Sequence, residues 1–179
     1  MSLRGRQAGT TSVAPRSRFL IVTVGGTHLA LHADRVQGLL TMEEAGLAEA
    51  LTVQGLTYAR LDLGTPLHFR DDAEGPDTRI VLLSSGSVRG NIRVAQVHGL
   101  KEIEQFQVLP LPRHFQGEEQ GWYHGILLFE ESVALVLNPA WVMEGCAVRQ
   151  VSKMVEQRGH PQRMLAMSPA LSGGQIEPC

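Results

Sequence analysis

Residues 79–100, RIVLLSSGSVRGNIRVAQVHGL, decide the fold, because they echo residues 18–39, RFLIVTVGGTHLALHADRVQGL. Each copy opens on an apolar run, Phe19 to Val24 and Ile80 to Leu83. Each then passes through glycine, Gly25-Gly26 in one and Gly86 and Gly90 in the other, resumes as a strand and closes on Val-x-Gly-Leu. Val36 corresponds to Val97, Gly38 to Gly99 and Leu39 to Leu100, an offset of 97 − 36 = 61 residues. Aligning Ile21 with Ile80 gives 80 − 21 = 59, which implies a length change of two in a loop. A weaker echo sets LTVQGLTYARLDL, Leu51 to Leu63, against ILLFEESVALVLN, Ile126 to Asn138. Two related β modules with a pseudo-twofold relation follow, with Ile21 on Ile80 and Val36 on Val97.

At 179 residues and 43% hydrophobic content, the chain has enough apolar material for a real core, in one domain or two small packed ones. A net charge of −2, from 16 basic and 18 acidic residues, supplies no broad basic field for nucleic acid. The longest apolar run, Phe19 to Val24, is too short to span a bilayer or to form a secretory core region. A cytoplasmic location is expected. The two cysteines, Cys146 and Cys179, have neither metal-knuckle nor redox spacing and read as reduced thiols.

Along the chain, residues 1–17 carry Arg4, Arg6 and Arg16 with no acid, and Gly5, Gly9 and Pro15 break any helix, so a flexible leader is expected. Strands follow over FLIVTV and HLALHA around a Gly-Gly-Thr hairpin turn, with His28 and His32 together on the solvent-facing side. Asp34 to Leu40 reads as a turn. Thr41 with Glu44 forms a capping box for a helix over Thr41 to Leu51, which Gly46 shortens. A hairpin joins Leu51–Val53 to Leu56–Leu63 at Gln54-Gly55. RDDAEGPD, residues 70–77, is a linker whose carboxylates miss the alternate spacing and twelfth-position glutamate of a calcium loop. After a second hairpin over Arg79 to Val97, Gly99 to Val108 reads as irregular and LPLP, residues 109–112, as extended. Trp122–Phe129 and Ser132–Leu137 make the last hairpin, and Asn138-Pro139 starts a helix. Val148, Val151 and Val155 recur at helical spacing, which predicts a C-terminal helix before a flexible tail rich in Gly and Pro.

No catalytic or metal-binding residue emerges, and no cofactor is expected. His28 and His32 on one strand would stand roughly 13 Å apart at about 3.3 Å per residue, too far to share an ion. His114 and His124 could meet but lack a third ligand at any useful spacing. Gly86 to Gly90 lacks the Gly-Lys-Ser/Thr of a phosphate loop and joins two strands. There is no Gly-x-Ser-x-Gly elbow. A binding protein is the better class. A small β-barrel enzyme would require His114, His124 and a carboxylate in one pocket.

The order strand, Gly turn, ALHADRVQGLL, hairpin ending at Leu61-Asp62-Leu63, then RIVLL, IRVAQVHGL, LPLP, a Trp-Tyr-x-Gly strand and ALVLNPAWV resembles CheW-like domains over about residues 18–143. Residues 51–63 align without a gap on the family's Ile-Asn-Leu-Arg-Gly-x-Val-x-Pro-Val-Val-Asp-Leu hairpin. Gly55, Asp62 and Leu63 match, whereas Thr52 replaces Asn, Gln54 replaces Arg and Ala59 replaces Pro. Val94-Ala95-Gln96-Val97 stands for the frequent Val-Asp-x-Val. The resemblance implies an all-β fold of two SH3-like five-stranded β-barrel subdomains packed together, with short connecting helices. The halves lie at about 18–70 and 78–143, and residues 144–179 form the C-terminal helix and tail. It further implies a non-catalytic adaptor of chemotaxis-type signalling that couples methyl-accepting chemoreceptor tips to the regulatory domain of a CheA-type histidine kinase. Binding would use barrel edges and the groove between barrels, with Val36, Gln54, Gly55, Asp62 and Val97 as candidate partner-binding residues. Gln54 removes the charged fork that the family presents to receptors. The alternative is a module of the same fold recruited to another complex, such as a pilus or motility regulator.

Overall fold

The computed structural model describes residues 16–46, 50–70, 73–104 and 107–145. Glycine turns and β-rich runs divide these into ten strands: β1 (Arg16–Val24), β2 (Thr27–His32), β3 (Val36–Thr41), β4 (Ala50–Val53), β5 (Leu56–Arg60), β6 (Arg79–Ser85), β7 (Val88–Val94), β8 (Gln96–Glu104), β9 (Tyr123–Phe129) and β10 (Ser132–Leu137). Three four-residue helices connect them: α1 (Met42–Ala45), α2 (Gly64–Leu67) and α3 (Glu119–Trp122). The fold is all-β, as expected, in two five-stranded sheets, each a curled half-barrel of SH3-like type.

The strand orders are β8-β1-β2-β10-β9 in the first sheet and β3-β6-β7-β5-β4 in the second. Replacing each strand by its repeat equivalent turns one order into the other. Neither sheet is built from one half of the chain, which corrects the division at 18–70 and 78–143 as two separate barrels. The β1–β2 hairpin joins strands from the second half, and the β6–β7 hairpin joins strands from the first. The exchange is made by β3 and β8, the two Val-x-Gly-Leu segments.

Strand register revises the alignment. Ile21 lies opposite Gly99 and Leu82 opposite Gly38. Since the two glycines are equivalent, Ile21 matches Leu82, and 82 − 21 = 61 is the same offset as Val36 to Val97. The match to Ile80 and the two-residue loop change are therefore corrected. Leu29 pairs with Leu135 and Gly90 with Ala59, so the later strands are offset by 135 − 59 = 76, not the 126 − 51 = 75 of the sequence alignment. The turns agree: Gln54 and Glu130, 130 − 54 = 76 apart, both adopt left-handed φ, at 51° and 52°.

Burial follows the repeat. A central core between the sheets holds Leu20, Val22, Leu29 and Leu31 from the first and Val81, Leu83 and Ile92 from the second. Each sheet also encloses its own cluster on its other face. Phe19, Ile21, Leu127, Phe129 and Val136 fill the first, and Leu51, Tyr58, Ile80 and Leu82 the second. Both faces of the central strands are therefore buried, which explains why Leu20-Ile21-Val22 and Val81-Leu82-Leu83 read as unbroken apolar runs. Gly90 is where a side chain would fail, because an added Cβ would collide with Leu61 Cδ1.

The sequence reading missed β3, taken as a turn, and most of β8, taken as irregular chain. Each carries a bulge, at Gln37 and at His98, where the register against β6 and β1 slips by one. A bulge interrupts the period-two pattern by which a strand is recognised. The capping box at Thr41 is present, with Glu44 N–H donating to Thr41 Oγ1 at 3.2 Å and Thr41 N–H to Glu44 Oε2 at 2.8 Å. The helix ends at once on Gly46, φ 65°, short of the expected Leu51. Arg16 and Ser17, assigned to the leader, belong to β1, where Arg16 pairs with Glu102 at 3.3 Å and Glu104 at 3.7 Å. Asn138 does start a helix, with Oδ1 accepting from Ala140 N–H at 3.1 Å and its carbonyl accepting from Val142 N–H at 3.0 Å, and the helix runs on as a π-helical turn over Trp141–Gly145. The rest of the leader, both cysteines, the helix through Val148, Val151 and Val155, and the tail lie outside the described residues.

Candidate partner-binding surfaces

Five-stranded sheets leave edges, and edge strands offer unpaired backbone groups to other chains. Here the edges are β8 and β9 of the first sheet and β3 and β4 of the second. Each crossing strand carries an exposed leucine at the same step of the repeat, Leu39 at 44% and Leu100 at 59% exposure, with 100 − 39 = 61. Edge β9 adds Leu128, 71% exposed, beside Val133 of β10 directly opposite in register. Leu39 and Leu100 close the two Val-x-Gly-Leu repeats and lie outside the five candidate residues of the sequence. Their signal was visible: an apolar residue repeated beside a glycine whose strand has no partner to cover it.

The sequence candidates separate into two groups. Val36 opens β3, Val97 is the second residue of β8, and both are half-buried against the central core. Gln54 and Gly55 are exposed at the β4–β5 turn, with φ of 51° and 77°. Asp62 is exposed after β5, where its carboxylate accepts from Thr65 N–H at 3.2 Å and Thr65 Oγ1 at 2.5 Å, bracing α2. The structure does not gather the five at one point.

The histidines are not solvent-facing, which corrects the reading of β2. His28 is half-buried: its Nδ1 lies 2.9 Å from Ser132 Oγ, and its ring is edge-on to His98 and Phe129 at 5.0 and 5.3 Å. His98 Nε2 sits 2.7 Å from Thr23 Oγ1, and Lys101 Nζ stands 5.5 Å from the Phe129 ring. At the other end of β2, His32 packs on Phe19 at 4.6 Å and meets His124 at 6.1 Å. Burial holds the His32 pKa below its ordinary value, with His124 and Arg35 acting in the same direction against Asp34. Tyr123 is pushed up to about 12, chiefly by burial, and remains a neutral hydrogen-bonding group. His114 packs on Phe115, so the described contacts do not join it to His124. Among the described residues, no three His, Cys, Asp or Glu side chains cluster as metal ligands.

The described residues include no helix long and apolar enough to cross a membrane. The family model for the CheW-like domain matches residues 18–146. Among solved structures, the scaffolding protein TtCheW from Thermoanaerobacter tengcongensis is similar, with a TM-score of 0.62 and 12% sequence identity, covering 73% of this chain and 94% of that one. At that identity the likeness speaks to fold. No curated protein sequence matches the chain.

Proposed function

The chain belongs to the CheW-like domain family, a family of chemotaxis scaffolds, and on that premise we propose that it is a non-catalytic cytoplasmic adaptor coupling chemoreceptors to a CheA-type histidine kinase. The observation that carries this reading is the pair of equivalent sheet edges, β3 with Leu39 and β8 with Leu100. A coupling protein must hold two partners at once, and two exposed apolar edges on separate sheets supply two such surfaces. The Gln54-Gly55 turn bears on receptor choice. Gly55 serves the backbone, and Gln54 offers neutral hydrogen bonds where the family Arg offers a charged fork. This substitution supports a divergent adaptor and is the specific reason to keep the recruited-module alternative.

The test is a titration of wild type and Gln54→Arg against a cognate kinase regulatory domain and a receptor tip fragment. Gln54→Arg is expected to tighten receptor binding about tenfold, the difference between a charged and a neutral hydrogen bond, and to leave kinase binding unchanged. Absence of binding to both partners by both forms overturns the adaptor reading and favours recruitment to another complex.

A further inference from the structure

Below the end of β5, a cleft of about 270 Å³ opens where the second sheet meets Val24 of the first. Three arginines line it, Arg60, Arg70 and Arg93, together with Asp62 and Thr65. Arg60 is in register with Asn91 on the parallel neighbour β7, and Arg93 lies two residues further along on the same face. Like charges so placed repel one another unless a counter-ion lies between them. Among the described residues none of the three arginines has an ion-pair partner. Arg93 Nε is buried without a hydrogen-bond partner, a cost that a protein accepts where a ligand can repay it.

The repeat provides an internal control. At offsets of 61 and 76, Arg93 corresponds to His32, Arg60 to Val136 and Leu61 to Leu137. The equivalent place in the first sheet holds only about 20 Å³ of space, lined by Leu31, His32, Leu137, Val142 and Met143 and by one arginine, Arg35, whose charge is already paired with Asp34 at 3.3 Å. The basic, open site is thus an addition to one half and not a property of the architecture.

We propose that this cleft binds the phosphate group of a small phosphorylated ligand. Three guanidiniums and one carboxylate sum to +2, which matches a phosphate monoester of about −1.5 to −2 better than a carboxylate of −1. Arginine forks suit its oxygens, and Phe69 and Ala73 offer apolar surface to the body of the ligand. The site is independent of the adaptor role.

The full chain should be titrated calorimetrically with inorganic phosphate, glycerol 2-phosphate, acetate and a phosphoserine peptide at low ionic strength. One-site binding of phosphate, tighter for glycerol 2-phosphate and undetectable for acetate, is expected. Arg60→Gln and Arg93→Gln should each weaken it about tenfold or more, and Arg18→Gln, far along β1, should not. Arg60 is exposed, so its variant remains decisive if Arg93→Gln fails to fold. No binding up to about 10 mM overturns the proposal. So does equal affinity in all variants, tightest binding of the phosphopeptide, or binding that appears only after Asp71→Asn/Asp72→Asn, which would make the chain's own carboxylates the counter-ions.

Discussion

The two sheets share one strand order and one pattern of burial, yet they differ in what fills equivalent positions. The first sheet encloses Phe19, Phe129 and Val136 and rims them with His28, His32 and His98. The second replaces Val136 by Arg60, His32 by Arg93 and Ala30 by Asn91, whose Nδ2 donates to Tyr58 O at 2.9 Å. What stays constant is most of the layer between the sheets, Leu20 matching Val81, Val22 matching Leu83 and Leu31 matching Ile92; at the one exception, Gly90 in place of Leu29, Leu61 occupies the space. Positions that face the other sheet are held apolar by mutual burial. Positions that face a sheet's own cluster are free to diverge, because only that half must accommodate them.

The sharpest way to break this comparison is to truncate equivalent core residues. Leu31→Ala and Ile92→Ala, both 4% exposed or less in the shared core, should each cost about 2–5 kcal/mol. Both should lower a single cooperative transition by a similar amount in denaturant unfolding followed by fluorescence and far-UV dichroism. Two separate transitions, one for each variant, would mean that the sheets are independent domains.

A smaller effect is expected at the turns. Gln54 and Glu130 each hold a left-handed φ that glycine adopts freely. Gln54→Gly and Glu130→Gly should each stabilise by about 0.5–1 kcal/mol, and by equal amounts if the turns are equivalent. Unequal midpoints in parallel melts would show that one tip has contacts the other lacks.

The smallest effect is a pH dependence confined to the first sheet. His32 has a folded pKa below its ordinary 6.5, so the unfolded chain binds the extra proton. Stability therefore falls as pH drops below 6.5 and stops falling once the folded form is also protonated. His32→Gln should flatten that slope relative to wild type, and an unchanged slope would place the titration elsewhere.

Much of this was legible in the chain. The double Val-x-Gly-Leu announced the repeat, the glycine turns announced hairpins, and the capping box at Thr41 announced a helix start, though not its length. The two bulged strands were not legible, since Gln37 and His98 break the alternation that identifies a strand. The arginine cleft was invisible for a different reason: Arg60, Arg70 and Arg93 are scattered over 34 positions, counting 60 to 93 inclusive; β5–β7 pairing draws Arg60 to Arg93, and the chain after α2 brings in Arg70.

By itself the sequence determined that there are two related β modules, because a repeat of apolar runs and glycines dictates where strands and turns form whatever they pack against. Only the tertiary structure decided that the modules exchange strands. β3 and β8 have equivalent sequences and could pair with the hairpin of either half. The choice rests on burying β1 and β6 on both faces at once, a long-range gain that no local pattern records.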